Sequence, residues 1–320
     1  MTSTERYHYG IDIGGSKIEL VACDAALDVC HRQRIATPAQ DFDAFVAAVA
    51  GLVEAADRAL GVPDGAAPVP VGLGMPGIVD AASGGQLSSN VPALNGRQVA
   101  PALAARLARP VRMGNDCQCF ALSEANGGAA QEFDSMFGVI LGTGAGGGYC
   151  LGGRLVAGYN GLAGEWGHWS IPASLLARHR LPLLDCPCGL RGCLERYVSG
   201  SGLAMLYRHV DRQAELRPGC DAPEIAERAG RGEALAQQAL AIHLDLLAHG
   251  LAGLVLALDP HVFVLGGGLS RLGHLYRDLP AAVARHLFKG ARVPPIVPPA
   301  FGDAGGARGA ALLARQHDRA

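Results

Sequence analysis

Apolar positions alternate with others from Tyr7 to Ile13, and the pair Gly14-Gly15 then turns the chain into a second strand, Lys17 to Cys23. A third β-prone stretch, Val29 to Ile35, follows, so the pattern predicts an antiparallel meander opening on a glycine turn. The period then changes. Phe42, Phe45, Val46, Val49, Leu52, Val53 and Leu60 fall on one face of an amphipathic helix. A loop over Gly61 to Pro68 leads to a buried strand, Val69 to Met75, then a short helix (Val99 to Leu107) and a strand (Val111 to Asn115).

The opening pattern returns later in the chain. Ser135 to Leu141 reads as a strand, Gly142 to Gly148 as a glycine turn, and Tyr149 to Val156 as a returning strand. Two copies of one α/β unit facing each other would put both turns on a shared cleft. Helices follow at Leu203 to Val210 and from about Glu233 to Ala257. A buried strand, His261 to Leu265, ends in Gly266-Gly267-Gly268, and Gly305 to Ala314 closes the chain as an alanine-rich helix. With about 150 residues per domain as the norm, 320 residues suggest two domains. The expected lobes are residues 1–118 with a return helix at 303–320, and residues 119–302.

Composition narrows the class. Hydrophobic residues are 49% and charged residues 18%, which excludes a disordered chain. Lys+Arg 27 against Asp+Glu 29 leaves no basic excess to neutralise a phosphate backbone, so no nucleic-acid partner is expected. The start, Met1 to Tyr9, is polar and lacks the apolar core of a signal peptide. The apolar run Leu251 to Leu258 is far short of the about 20 residues that span a bilayer, so no membrane association is expected. Nine cysteines, scattered and odd in number, point to a reducing, cytoplasmic location in which clustered cysteines bind metal. Lysine occurs only at Lys17 and Lys289, and Lys17 lies in a glycine turn, where a compact point charge is useful.

Four constellations could carry chemistry. Gly10-Ile-Asp12-Ile-Gly14-Gly15-Ser16-Lys17 is not a Walker loop, because a strand and not a helix follows. A glycine hairpin still brings backbone N–H groups close to phosphate oxygens, Asp12 can hold a hydrated Mg²⁺, and Ser16 or Lys17 can touch phosphates. The plainer alternative is an ordinary hairpin turn. Gly142-Thr143-Gly144-Ala145-Gly146-Gly147-Gly148 matches the dinucleotide fingerprint literally, with Glu165 as its acid, which keeps a nicotinamide dehydrogenase in play. That fingerprint must open a helix, whereas Tyr149 to Val156 looks like strand and turn.

Cys186, Cys188 and Cys193 lie within eight residues, and His168 precedes them by 18. A Cys₃His set is a closed tetrahedral zinc site; the alternative is three buried or free thiols. Asn115-Asp116 ends a strand and enters a helix, where a carboxylate can accept a hydroxyl proton or simply cap the helix. Glu165 and Glu195 flank the zinc candidates. A folded knuckle would bring them together, and with Asn90 they suit a hydroxyl-rich ligand; otherwise they are solvated surface acids.

Taken in order, these residues resemble the ROK family of bacterial sugar kinases and related repressors over essentially the whole chain. Further marks are Gly74-Met-Pro-Gly77, Asn90-Val-Pro, Leu265-Gly-Gly-Gly-Leu-Ser270 and Gly302-Asp-Ala-Gly-Gly306. The resemblance implies an α/β, actin-like, hexokinase-type (ribonuclease H-like) fold of two lobes with an interdomain cleft for ATP. It implies Asp116 as catalytic base. Nucleotide contacts would come from Gly10, Asp12, Gly14, Gly15, Ser16, Lys17, Gly142, Thr143, Gly144, Gly146, Gly147, Gly267 and Gly268. Sugar contacts would come from Gly77, Asn90, Asn115, Asp116, Glu165, His168 and Glu195. His168 would also join Cys186, Cys188 and Cys193 on a structural zinc ion.

Ser16 stands where threonine is usual, and Trp166 and Trp169 occupy the sugar loop beside the zinc ligands. Family repressors normally carry an N-terminal helix-turn-helix domain; with the phosphate loop beginning at Gly10, none is expected here. The expected activity is ATP-dependent phosphorylation of N-acetyl-D-glucosamine at its 6-hydroxyl by a homodimer using Mg²⁺. A glucokinase or fructokinase of the same family, or a non-catalytic sugar sensor, are the alternatives.

Overall fold

The computed structural model describes residues 7–63, 65–80, 82–87, 91–211, 220–302 and 305–316. The opening meander forms as the alternation predicts: β1 (Tyr7–Ile13), β2 (Lys17–Asp24) and β3 (Val29–Ala36) pair antiparallel in turn. Helix α1 (Phe42–Ala59) follows, with Asp41 accepting from the Ala44 N–H at its N-cap. Strand β4 (Val71–Met75) then adds parallel to β1, starting two residues later than predicted because Pro70 cannot donate to the ladder. A small hairpin, β5 (Ile78–Val79) with β6 (Gln86–Leu87), and helix α2 (Val99–Leu107) precede β7 (Val111–Asn115), which lies parallel to β4.

β1 is buried on both faces, and the two faces have different partners. Tyr9, Ile11 and Ile13 point into a core shared with Phe45, Val49, Leu52 and Val53 of α1. On the other face, Val21 and Cys23 of β2 pack with Ala307 and Ala311 of the closing helix, Gly305–Gln316. That helix presses so closely that a Cβ on Gly10 would overlap the Ala307 carbonyl, and one on Gly72 the Ala310 carbonyl. Gly10 therefore serves helix packing inside β1, and the turn itself is confined to Gly14–Ser16, closed by the Gly14 N–H donating to the Lys17 carbonyl at 2.9 Å.

The strand order of the first sheet is β3-β2-β1-β4-β7. The second repeats it. Strands β8 (Ser135–Leu141), β9 (Ala145–Leu151) and β10 (Arg154–Leu155) form the new meander. Strands β11 (Val262–Gly266) and β12 (Ile296–Val297) add parallel beyond β8, giving β10-β9-β8-β11-β12. The predicted duplication of one α/β unit is thus a duplication of topology.

The turn between β8 and β9 is shorter than predicted. Strand β9 begins at Ala145, so Gly146, Gly147 and Gly148 are strand residues and only Gly142–Gly144 turns. Packing accounts for the extra glycines: a Cβ on Gly147 would strike the Phe137 ring, and the Gly146 carbonyl accepts from the buried Trp166 indole at 2.8 Å.

Two compact units divide the chain: Met1–Gln131 with Gly148–Ala163 and Phe301–Ala320, and Glu132–Gly147 with Gly164–Ala300. The first runs beyond the expected boundary at residue 118. Helix α3 (Asp116–Ala125) stays in it because the closing helix packs along α3, where Gly309 meets the Cys119 carbonyl too closely for any side chain. The end of β9 and the loop to Ala163 belong there too, Asn126 Nδ2 donating to the Gly153 carbonyl at 2.9 Å.

The second unit adds helices α4 (Ala173–His179), α5 (Glu195–Val198), α6 (Gly200–Val210), α7 (Ala222–Gly230), α8 (Ala234–Leu258) and α9 (Gly273–Ala284). The sequence pattern did not show α4, α5, α7 or α9: three are under ten residues, and the fourth holds Pro280 inside it. Helix α8 is long and apolar enough to cross a membrane, but most of its apolar window is buried against protein. The closing helix is α10 (Gly305–Gln316).

Candidate active site

In the first unit the site is built where β1, β7 and α10 end or begin. Asp12 sits one residue from the end of β1, on the face covered by α10; a Cβ on Gly306 would lie 3.0 Å from its carboxyl carbon. Directly opposite Asp12 in the ladder is Glu19, itself buried and held by Arg32 (3.2 Å) and Arg34 (3.0 Å). Like charges facing each other across an antiparallel pair repel. Burial, then the charges of Asp116 and Glu19, push the Asp12 carboxyl up to about 7, against the weaker pull of Lys17 and Arg34. A carboxyl facing a net excess of negative charge suits a cation. Glu19 escaped the sequence reading; the only signal was an acid within an apolar strand opposite arginines two residues apart.

Asp116 is the first residue of α3, and it is not the cap. Asn115 occupies that position: its Oδ1 accepts from the Cys117 N–H at 2.8 Å, while its Nδ2 donates to the Gly77 carbonyl at 3.1 Å. The structure thus brings Asn115 and Gly77 together, and Asp116 accepts from the same Cys117 N–H at 2.9 Å. Burial raises the Asp116 pKa despite that bond, which favours a group able to take up a proton. Gly14, Gly15 and Ser16 form the β1–β2 turn on the same unit and Lys17 opens β2, with Gly15, Ser16 and Lys17 exposed. Asn90 lies outside the described residues.

In the second unit, Gly142 and Thr143 are drawn to the start of α6, and Gly267 lies beside them at the end of β11, where its Cβ would come 2.5 Å from the Leu141 carbonyl oxygen. Gly268 follows in a 3₁₀ turn. Because a strand follows Gly144, the fingerprint does not open a helix, and the dinucleotide-binding alternative falls.

His168 ends a 3₁₀ turn (Trp166–His168), and its ring lies among Cys186, Cys188 and Cys193, with all four candidate ligand atoms within 4.8 Å of one another. The sulfurs of Cys188 and Cys193 are 3.6 Å apart, and Cys186 Sγ is 3.9 Å from His168 Nδ1. Zinc–sulfur bonds of about 2.3 Å place tetrahedral donors roughly 3.8 Å apart, so the spacing fits a metal ion. Glu165 and Glu195 flank the same imidazole, at 3.6 Å from Nε2 and 3.8 Å from Nδ1. The knuckle therefore does bring the two carboxylates together. Glu195 also accepts from the Cys186 thiol at 3.1 Å and lies against Gly144, where a Cβ would be 2.9 Å from its Oε2. Trp166 is core, whereas Trp169 is half exposed and rests on α8 at Gly253.

The chain is 45% identical to N-acetylgalactosamine kinase AgaK of Shewanella sp. (strain ANA-3), over 96% of each chain. It is 42% identical to N-acetyl-D-glucosamine kinase of Photobacterium profundum, over 96% of this chain and 98% of that one. Its fold is similar to the crystal structure of ROK hexokinase from Thermus thermophilus, with a TM-score of 0.84 at 31% identity, covering 98% of this chain and 99% of the other. The duplicated β-meander and parallel extension is accordingly the actin-like, hexokinase-type α/β fold. With residues 8–317 matching its family model, the chain belongs to the ROK family.

Proposed function

We propose that the protein is an ATP-dependent sugar kinase converting N-acetyl-D-glucosamine to N-acetyl-D-glucosamine 6-phosphate. The observation that carries this reading is the state of Asp116: a recessed carboxylate, relieved of capping by Asn115, with its proton affinity raised by burial. It takes the proton of the 6-hydroxyl as that oxygen attacks the γ-phosphorus, in line with departing ADP. Backbone N–H groups of the Gly14–Ser16 and Gly142–Gly144 turns, with Lys17, disperse the charge on the transferring group. Asp12 would hold Mg²⁺, which when bound neutralises phosphate charge. Gly267 and Gly268 remain nucleotide contacts in this reading; Gly10, Gly146 and Gly147 act through packing.

The sugar contacts are assigned to Gly77, Asn90, Asn115, Asp116, Glu165, His168 and Glu195. His168, Cys186, Cys188 and Cys193 would hold zinc as a closed structural site with no position left for a reactive water. The protein would act in the cytoplasm as a homodimer.

One observation favours a second acceptor: a relative at 45% identity is named for N-acetylgalactosamine. A coupled ADP-release assay over N-acetyl-D-glucosamine, N-acetyl-D-galactosamine, N-acetyl-D-mannosamine, glucose and fructose decides. The highest kcat/KM with N-acetyl-D-glucosamine supports the reading. A preference for the galactosamine replaces the acceptor but keeps the chemistry, and no ADP release with any of them rejects the kinase.

A further inference from the structure

Both glycine turns are gripped from their carbonyl side by a hydroxyl and an amide. In the first unit, Thr37 Oγ1 donates to the Gly14 carbonyl at 2.7 Å, and the Thr37 N–H donates to the Ser16 carbonyl at 3.1 Å. In the second, the Gly200 N–H donates to the Gly142 carbonyl at 2.8 Å, and Ser201 Oγ donates to the Thr143 carbonyl at 2.7 Å. Each grip lies within its own unit. They arise from unrelated elements, the end of β3 in one case and the start of α6 in the other, so strand duplication alone does not explain the match.

Proton bookkeeping fixes the direction of the second grip. A serine hydroxyl has one hydrogen to give. Ser201 spends its hydrogen on Thr143, so the 3.0 Å contact between Ser199 Oγ and Ser201 Oγ must be a donation from Ser199. Ser199 in turn accepts from the Gly202 N–H at 3.1 Å, completing a relay from helix backbone to turn. In a chain of this kind each bond polarises the next.

The consequence for the turns follows from peptide geometry. In a trans peptide the C=O and N–H point in opposite directions. Drawing the Gly142 and Thr143 carbonyls toward α6 therefore turns the N–H groups of Thr143 and Gly144 away from it, side by side. Fixing the Gly14 carbonyl on Thr37 turns the Gly15 N–H outward in the same way. Successive N–H groups presented on one side form an anion cradle. A Gly-Thr-Gly or Gly-Gly-Ser turn left to itself samples many other peptide orientations.

We propose that Thr37 and Ser201 are positioning residues for phosphoryl transfer: each hydroxyl locks one peptide plane of its turn so that the N–H of that peptide faces the phosphates of the bound nucleotide. The inference rests on the proposed kinase reading, in which these turns bind ATP. Neither residue needs to touch the nucleotide. Their effect should appear in nucleotide parameters and spare the sugar.

The test is steady-state kinetics with MgATP and N-acetyl-D-glucosamine varied separately, beside calorimetric titration with MgADP, on Thr37→Val, Ser201→Ala and the double variant. Loss of one hydrogen bond corresponds to about a fivefold weakening, so each variant should raise the KM for MgATP and the Kd for MgADP about fivefold. The double variant should multiply the effects to roughly 25-fold, since the contacts are independent. The KM for sugar should stay within about twofold, and Thr37→Ser and Ser201→Thr should restore nucleotide binding.

Ser201 is exposed at a helix start, so Ser201→Ala carries the test alone should Thr37→Val not fold. Unchanged nucleotide constants, or equal losses for nucleotide and sugar, overturn the inference. A wild-type protein that binds neither MgADP nor MgATP overturns the kinase reading instead.

Discussion

Asn115 and Asp116 share one donor: the Cys117 N–H lies 2.8 Å from Asn115 Oδ1 and 2.9 Å from Asp116 Oδ1. Asn115 is held at its other end by the Gly77 carbonyl, so it carries the cap, and Asp116 can yield its share of the bond without unravelling α3. Replacing Asp116 by Asn should therefore leave the melting temperature nearly unchanged while lowering kcat by roughly 10²–10⁴-fold, the range for loss of a general base. Asn115→Ala should do the opposite in stability, costing about 1 kcal/mol as a lost N-cap. Thermal melts beside initial rates check both; wild-type kcat in the Asp116 variant would remove it from the mechanism.

Metal should matter through architecture. Purified protein should contain about one zinc per chain, and Cys188→Ser should lose it. Because Glu165 and Glu195 both flank His168, the sugar KM should then rise more than tenfold. Metal analysis and sugar titration on the same preparations provide the check. Normal sugar binding by the zinc-free variant would separate the knuckle from the acceptor site.

Gln118, buried on α3 two residues after Asp116, donates through Nε2 to the carbonyls of Gly161 (2.9 Å) and Ala163 (3.1 Å). It thereby ties down the loop that leads into Glu165. Gln118→Ala should speed amide exchange across residues 157–163 and raise the sugar KM several-fold, with the MgATP KM little altered. Exchange mass spectrometry alongside kinetics would show whether the loop is anchored there; protection equal to wild type would say it is not.

His243 is fully buried in α8, its Nε2 2.8 Å from the Val198 carbonyl, and burial lowers its pKa to about 4. The folded state thus resists a proton that the unfolded chain binds near pH 6.5. Stability from this group is complete above about pH 6.5 and is lost as pH falls through about 4. His243→Gln should flatten the fall in melting temperature between those values while lowering the melting temperature at pH 7. An unchanged acid limb would show that other groups control acid unfolding.

Much of the architecture was legible in the chain because period and punctuation are local properties. The alternation at Tyr7–Ile13, the helical stripe from Phe42 and the doubled strand–turn–strand were set by which residues can bury a face together. The Cys186–Cys193 cluster and Asn115-Asp116 were legible because their chemistry is written in residue type and short spacing. Other features depended on partners distant in sequence. Gly10 serves helix packing only because Ala307, almost 300 residues on, lies against it, and Gly147 is a strand residue because Phe137 sits beneath it.

Whether Asp116 was a cap or a free carboxylate turned on the bond from Asn115 to Gly77. Thr37 and Ser201 carry no motif at all. A hydroxyl reads the same in any sequence, and only the folded chain sets it 2.7 Å from the carbonyl of a glycine turn.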